Sequence, residues 1–162
     1  GQGLLVSLAA KQRSEGRSID EVRDWAEENK LHMCHQFTVD DLHFLKRGGR
    51  ISATTAVVGS MLQIKPVLHV DNEGHLINIA KARGRQASLK ALVDKMEKTA
   101  IDPANQVVFI SHGDCLEDAH TVEKMVKERF GVKEVYINYV GPVIGAHSGP
   151  GTLALFYVGS ER

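Results

Sequence analysis

The chain has 162 residues, 43% hydrophobic and 25% charged, and its 20 Lys plus Arg balance 20 Asp plus Glu to a net charge of zero. Such a length and composition fit one globular domain with a real core, or one domain plus part of another, and argue against intrinsic disorder. The balance also argues against a nucleic-acid partner, because such binders carry surplus cations to neutralise phosphates.

In chain order, residues 4–11 are small and apolar and read as a helix ended by Gly16, and Ser18 followed by Glu21 has capping-box spacing ahead of Ile19, Val22 and Ala26 at helical intervals. Two helices alone cannot bury both faces, so residues 1–36 are expected to be the helical remnant of an N-terminal α/β domain. Residues 35–39 then form a short strand leading into a second domain, 37–162. Asp40 and Asp41 open a short helix, Leu42 to Arg47, that ends in basic residues before Gly48-Gly49. A small-residue helix is expected over 53–62. Ile64 to Val70, the turn Asp71-Asn72-Glu73-Gly74 and residues 76–80 read as a β-hairpin, with Pro66 suited to an edge or a strand start. From Arg85 the pattern is helical, with Leu89, Leu92, Val93 and Met96 in one stripe. Residues 107–110 form an apolar strand. Leu116, Ala119, Val126 and Phe130 stripe another helix, closed by Gly131. Val135, Ile137 and Tyr139 alternate as a strand, and a glycine-rich loop with a short helix leads to a last strand, Leu153 to Val158. The order predicts a two-layer α/β sandwich with a mixed sheet and helices on one face.

Residues 135–160 carry no Asp, Glu, Lys or Arg, but Gly141-Pro142 and Gly149-Pro150-Gly151 interrupt them, so a buried soluble segment is expected rather than a membrane span. Cys34 and Cys115 are too few for a disulfide framework and form no CxxC pair, which points to a reducing, cytoplasmic setting and to no structural metal.

Eight histidines are the most conspicuous functional residues. His32, His35, His43 and His75 read as structural or solvated. His112 follows an apolar strand in Ser111-His112-Gly113-Asp114, where open α/β sheets collect ligands; it either serves a site or only hydrogen-bonds its loop. His147 lies in Gly145-Ala146-His147-Ser148-Gly149-Pro150-Gly151. Those glycines permit close backbone approach, and N–H groups, the Ser148 hydroxyl and the imidazole suit an oxyanion-sized group; a tight turn is the alternative. Between Lys46 and Arg85, seven Lys or Arg stand against Asp71 and Glu73, a local balance of +5 between flanks of −3 and −2. These cations bracket the charge-free stretch from Ile51 to Ile64, a frame suited to an amphiphilic anion.

Four motifs together resemble the DegV family of bacterial fatty-acid-binding proteins: residues 38–52 with Lys46-Arg47-Gly48-Gly49-Arg50, residues 59–68, Lys81-Ala82-Arg83-Gly84, and Gly145 to Gly151, in order and spacing. The resemblance implies a two-domain protein that holds one long-chain fatty acid between its domains without chemistry of its own. It also implies presentation of the carboxylate to a separate dihydroxyacetone-kinase-like fatty acid kinase subunit that makes acyl phosphate. On this reading the chain is a truncated member, since the family's first-domain hydroxyl residues have no counterparts here. His147 is then assigned to the carboxylate, with Ser148 assisting and His112 as a second-rank neighbour. Arg83 and Arg50 support the head group or dock the kinase, and Val57, Val58, Met61, Leu62, Ile64 and Leu68 wall the acyl chain. No cofactor is expected beyond the bound lipid. A small hydrolase or phosphotransferase using His112, Asp114 and His147 is the alternative.

Overall fold

The computed structural model describes residues 1–51 and 64–162; the expected helix over 53–62 lies outside the described residues. Two helices come first, α1 (Gln2–Ser14) and α2 (Ile19–Asn29). Between them Gly16 takes φ +95°, a conformation that side chains disfavour. The capping box forms in full: Ser18 Oγ accepts the Glu21 N–H at 3.3 Å, and Glu21 Oε2 accepts the Ser18 N–H at 2.7 Å.

Strand β1 (Met33–Thr38) follows, then α3 (Leu42–Arg47), whose first turn is capped by Asp41, and the hairpin β2 (Ile64–Val70) and β3 (Leu76–Arg83). Next come α4 (Arg85–Thr99), β4 (Val107–His112), α5 (Leu116–Phe130), β5 (Glu134–Tyr139), α6 (Pro142–Ser148) and β6 (Leu153–Val158). The strands form one six-stranded mixed sheet in the order β3-β2-β1-β6-β4-β5. Only β4 and β5 run parallel, joined by α5 as a crossover, and the other neighbours are antiparallel. The chain therefore has the expected α/β class.

Two expectations change. A boundary at residue 36 would cut through β1, which pairs with β6 from Met33↔Val158 to Thr38↔Leu153 in the middle of the sheet; the sheet thus begins at Met33. Pro66 sits on β2, between β3 and β1. It is tolerated because β1 pairs with β2 only at Gln36↔His69 and Phe37↔Leu68, leaving the Pro66 stretch unpaired on that side among the described residues.

Helices α4 and α5 cover one face. Leu89, Leu92, Val93 and Met96 of α4 are fully buried against inward residues of the strands, as their spacing predicts. On α5 the buried stripe is Ala119, Val122 and Val126, and Leu116 is exposed at its first turn. The opposite face carries a second, smaller core of Phe37, Val39, Leu42, Leu45, Leu68 and Ala154 beneath α3.

A buried polar pair locks the large core. Tyr157 on β6 is fully buried, and its hydroxyl lies 2.6 Å from Thr99 Oγ1 at the end of α4. Thr99 Oγ1 donates to the Lys95 carbonyl at 3.0 Å, so the tyrosine is the donor in the shared bond. Burial, first of all, raises the Tyr157 phenol above its ordinary range, which keeps it a donor. Tyr157→Phe should cost about 1 kcal/mol and lower Tm by roughly 2–4 °C in calorimetry. An unchanged Tm would mean that this bond adds nothing to stability.

Candidate functional site

The face away from α4 and α5 holds a cavity of about 1190 Å³, lined mainly by aromatic and aliphatic side chains. Strand register builds its floor. His35 of β1 pairs with Phe156 of β6, Phe156 with Phe109 of β4, and Phe109 with Tyr136 of β5, so four rings stand in one row across four strands. His35 meets Phe156 edge-on at 5.3 Å and Phe109 meets Tyr136 at 5.4 Å between centroids. Two residues further along β1 and β4, the next row reads Phe37, Ala154, Ser111 and Asn138. All eight residues line the cavity.

Its walls come from three places. The first turns of α1 close one side through Gly1, Gln2, Gly3 and Ser7, and a Cβ on Gly3 would lie 3.7 Å from the Phe109 ring. Helix α6 forms the other side with Val143, Ile144, His147 and Ser148, and the first two are 68% and 57% exposed. At the β2–β3 end, Gly49 and Arg50 face Val70, His75 and Leu76.

Glycine contacts join the two motifs that the sequence singles out. A Cβ on Gly48 would overlap Nδ1 of His147, so the imidazole rests directly on the Lys46–Arg50 segment. A Cβ on Gly149 would come within 2.6 Å of the Phe44 ring, and one on Gly151 would overlap the Asp40 carboxylate. Both of these glycines also have positive φ, +78° and +76°. Close approach and backbone conformation together require glycine at 149 and 151. Asp40, held under Gly151, pairs with Lys65 at 2.9 Å and with Arg85 at 3.5 Å, and Arg85 pairs with Asp118 at 2.8 Å. Two cations of the basic middle segment are thereby committed to structure.

His147 is half-buried on the last turn of α6 and faces the cavity. Ser148 also lines it, but its hydroxyl donates to the Ile144 carbonyl at 2.8 Å, which leaves it an acceptor toward a ligand. Arg50 lines the cavity at the far side of the glycine pair, with Nη1 donating to the Gly48 carbonyl at 2.6 Å. Arg83 is exposed at the end of β3 and is not a lining residue.

His112 departs from expectation. It is 2% exposed and absent from the cavity lining, its ring lies 4.5 Å from that of Tyr139, and its Nδ1 accepts the Cys115 N–H at 3.3 Å. Strand alternation turns it to the α4–α5 side, so Ser111 is the residue of this strand end that meets the cavity. His112 and His147 thus do not share a face of the sheet. Of the acyl-wall candidates, Val57, Val58, Met61 and Leu62 lie outside the described residues. Leu68 is core beneath α3, and Ile64 starts β2 opposite Arg83; neither lines the cavity. The apolar lining of the cavity among the described residues includes Phe37, Phe109, Phe156, Tyr136, Val143 and Ile144.

His35, which the sequence reads as structural or solvated, stands in the cavity floor. Its Nδ1 lies 2.6 Å from the Met33 carbonyl, which can only accept, so Nδ1 carries the hydrogen. Burial, outweighing that bond's preference for the protonated ring, pushes its pKa down to about 4, and the imidazole stays neutral in the floor. The signal that finds this floor is two-sided apolarity: β4 and β6 carry large apolar residues on both faces, while α4 and α5 cover only one.

Among the described residues, one group could share a cation, Asp71, Glu73 and His75 in the β2–β3 turn. Asp71 Oδ1 already accepts the backbone N–H groups of Glu73 and His75 there, at 3.0 and 2.8 Å.

A protein-family model described as an uncharacterised protein of the DegV family matches residues 1–160. A DegV domain-containing protein of Clostridium perfringens is 53% identical over 162 residues, which are 100% of this chain and 56% of that protein. Among solved structures, a DegV family protein of Thermus thermophilus described for its fatty acid binding superposes with a TM-score of 0.80 at 28% identity, covering 96% of this chain and 56% of the other. The Fatty Acid Kinase (Fak) B3 protein of Streptococcus pneumoniae, loaded with linoleic acid, shares the fold with a TM-score of 0.87 at 21% identity, covering 96% and 54%. The chain spans slightly more than half the length of these proteins.

The seat of His147 is open to a direct test. Gly48 has ordinary right-handed backbone, φ −75°, so Gly48→Ala changes little but the space under the imidazole. The variant should displace the ring, read as shifted imidazole resonances of His147, and the overlap should cost roughly 1–3 kcal/mol of stability. Unmoved resonances would mean that the two segments are not in contact.

Proposed function

The chain belongs to the DegV family, and on that premise we propose that it supplies one side of the binding site of a protein that holds a long-chain fatty acid. The observation that carries the reading is the channel itself. An aromatic floor and an aliphatic lip run across the sheet toward a polar end where His147, Arg50 and the Gly48–Gly49 turn come together. Each methylene removed from water contributes about 0.8 kcal/mol before the entropy of binding is subtracted, so a dry channel suffices for affinity. The imidazole N–H and the guanidinium are the donors for the carboxylate.

Nothing in this arrangement requires bond making by the protein. We place it as a non-catalytic carrier that offers the carboxylate to a separate fatty acid kinase subunit in the cytoplasm, with Arg83 on the open edge of the sheet as part of the docking surface. No helix among the described residues is long and apolar enough to cross a membrane.

The test is delipidation of the complete protein followed by calorimetric titration with fatty acids from tetradecanoic to octadecanoic. Binding should be seen, and His147→Ala should weaken it at least roughly tenfold at unchanged Tm, the loss of one charge-assisted hydrogen bond. No affinity in the wild type would sink the proposal, and equal affinity in the variant would remove His147 from the site. For docking, Arg83→Glu should leave lipid affinity intact and reduce acyl-phosphate formation by added kinase. Undiminished turnover would take Arg83 out of the interface.

A further inference from the structure

Arg85 opens α4 at the end of the basic segment, yet its side chain turns inward, 18% exposed, and meets three other parts of the chain. Nε donates to Asp118 Oδ2 on the first turn of α5 at 2.8 Å. Nη1 lies 3.5 Å from Asp40 Oδ1 ahead of α3, and Nη2 lies 3.5 Å from Cys115 Sγ between β4 and α5. A planar guanidinium can address all three at once, which a single point charge cannot. Two of these partners reach the loop 149–152 that follows α6. A Cβ on Gly151 would overlap the Asp40 carboxylate, and Cys115 Sγ donates to the Thr152 carbonyl at 3.3 Å. Burial, outweighing the cation beside it, raises the Cys115 thiol above its ordinary range, so the sulfur keeps the hydrogen that it donates.

The loop is tied to itself and to the end of β4. The Gly151 N–H donates to the Gly113 carbonyl at 2.7 Å, the Gly113 N–H to the Thr152 carbonyl at 2.8 Å, and Thr152 Oγ1 to the Gly149 carbonyl at 2.7 Å. A displacement at Gly151 or Thr152 is therefore passed to Gly149, the C-cap of α6, and His147 stands on the last turn of that helix. We propose that Arg85 is a positioning residue for carboxylate recognition, holding the 149–152 loop through Asp40 and Cys115 and, through that loop, the imidazole of His147. The inference rests on the fatty-acid reading and deepens it. Arg85 does not line the cavity, so it acts on the fit of the carboxylate and leaves the apolar part of the ligand untouched.

That division sets the experiment. In the complete, delipidated protein, Arg85→Met removes the fork and keeps most of the stem. Arg85→Gln, which retains a polar end, takes its place if the first variant does not fold. Variant and wild type are titrated calorimetrically with tetradecanoic acid and with tetradecan-1-ol, which has the same chain length and no carboxylate, and Tm is recorded. The expected result is a ratio of acid to alcohol affinity reduced at least roughly tenfold, with alcohol affinity near the wild-type value, because a misplaced imidazole loses its bond to the carboxylate. A residue that served only stability would lower Tm and leave the ratio alone, so a wild-type ratio in the folded variant overturns the inference. A wild type that binds neither ligand, or both equally, overturns the fatty-acid reading itself, a result readily told apart from an unchanged ratio in the variant.

Discussion

Apolar side chains on both faces of one sheet, with a pair of long helices for only one of them, are the constraint from which the rest of this structure follows. On the covered side, α4 and α5 bury their stripes against Val108, Ile110, Leu153 and Leu155 in the ordinary way of an α/β layer. On the other side the strands offer Phe37, Phe109, Phe156 and Tyr136 to two short helices and the first turns of α1. Among the described residues that cover does not close over the four rings, and the remainder is the cavity. Among the described residues the cavity is a shortfall of helix over sheet rather than a pocket added to a finished fold.

The cover that exists is held by contacts only glycine permits. Phe44 lies on Gly149, His147 on Gly48 and Asp40 under Gly151, so α3 and α6 approach more closely than side chains would allow. Each contact joins a residue near the start of the sheet to one near its last strand. The same contacts aim His147 at the cavity, so the packing of the roof and the placement of its polar group are one event. Asp40 adds a charge web with Lys65, Arg85 and Asp118 that fixes the neighbouring turn.

Local signals are legible in the sequence where they depend on neighbours in the chain. The Ser18–Glu21 box, the stripe of α4, the hairpin turn at Asp71 to Gly74 and the bounds of α3 and β6 all follow from spacing and turn chemistry. Misplaced features depend on which strand lies next to which. Pro66 reads as an edge or strand-start residue because sequence does not say that β1 pairs with β2 at only two positions. His112 looked functional because a strand end is a good address, but alternation decides which face it serves, and Ser111 has the cavity side. His35 looked ordinary because its partners, Phe156 and the Met33 carbonyl, are brought to it by pairing and by burial. The family's motifs meet where His147 rests on Gly48 at the cavity, while the aromatic floor follows from register.

The pairing of β1 with β6 has a consequence for how the molecule is made. All six residues of β1 find their partners on the final strand of the sheet, and the same strand is what brings β4 alongside. No smaller assembly of earlier elements completes the centre, so β1, with the hairpin beside it, and β4 stay apart until β6 exists to sit between them. Contacts this distant in sequence slow folding, because the entropy of closing so long a loop is lost before the contacts return it. During synthesis the rings that later floor the channel stand exposed beside unpaired strand edges, and the interval before β6 emerges is when this sequence most needs chaperone protection.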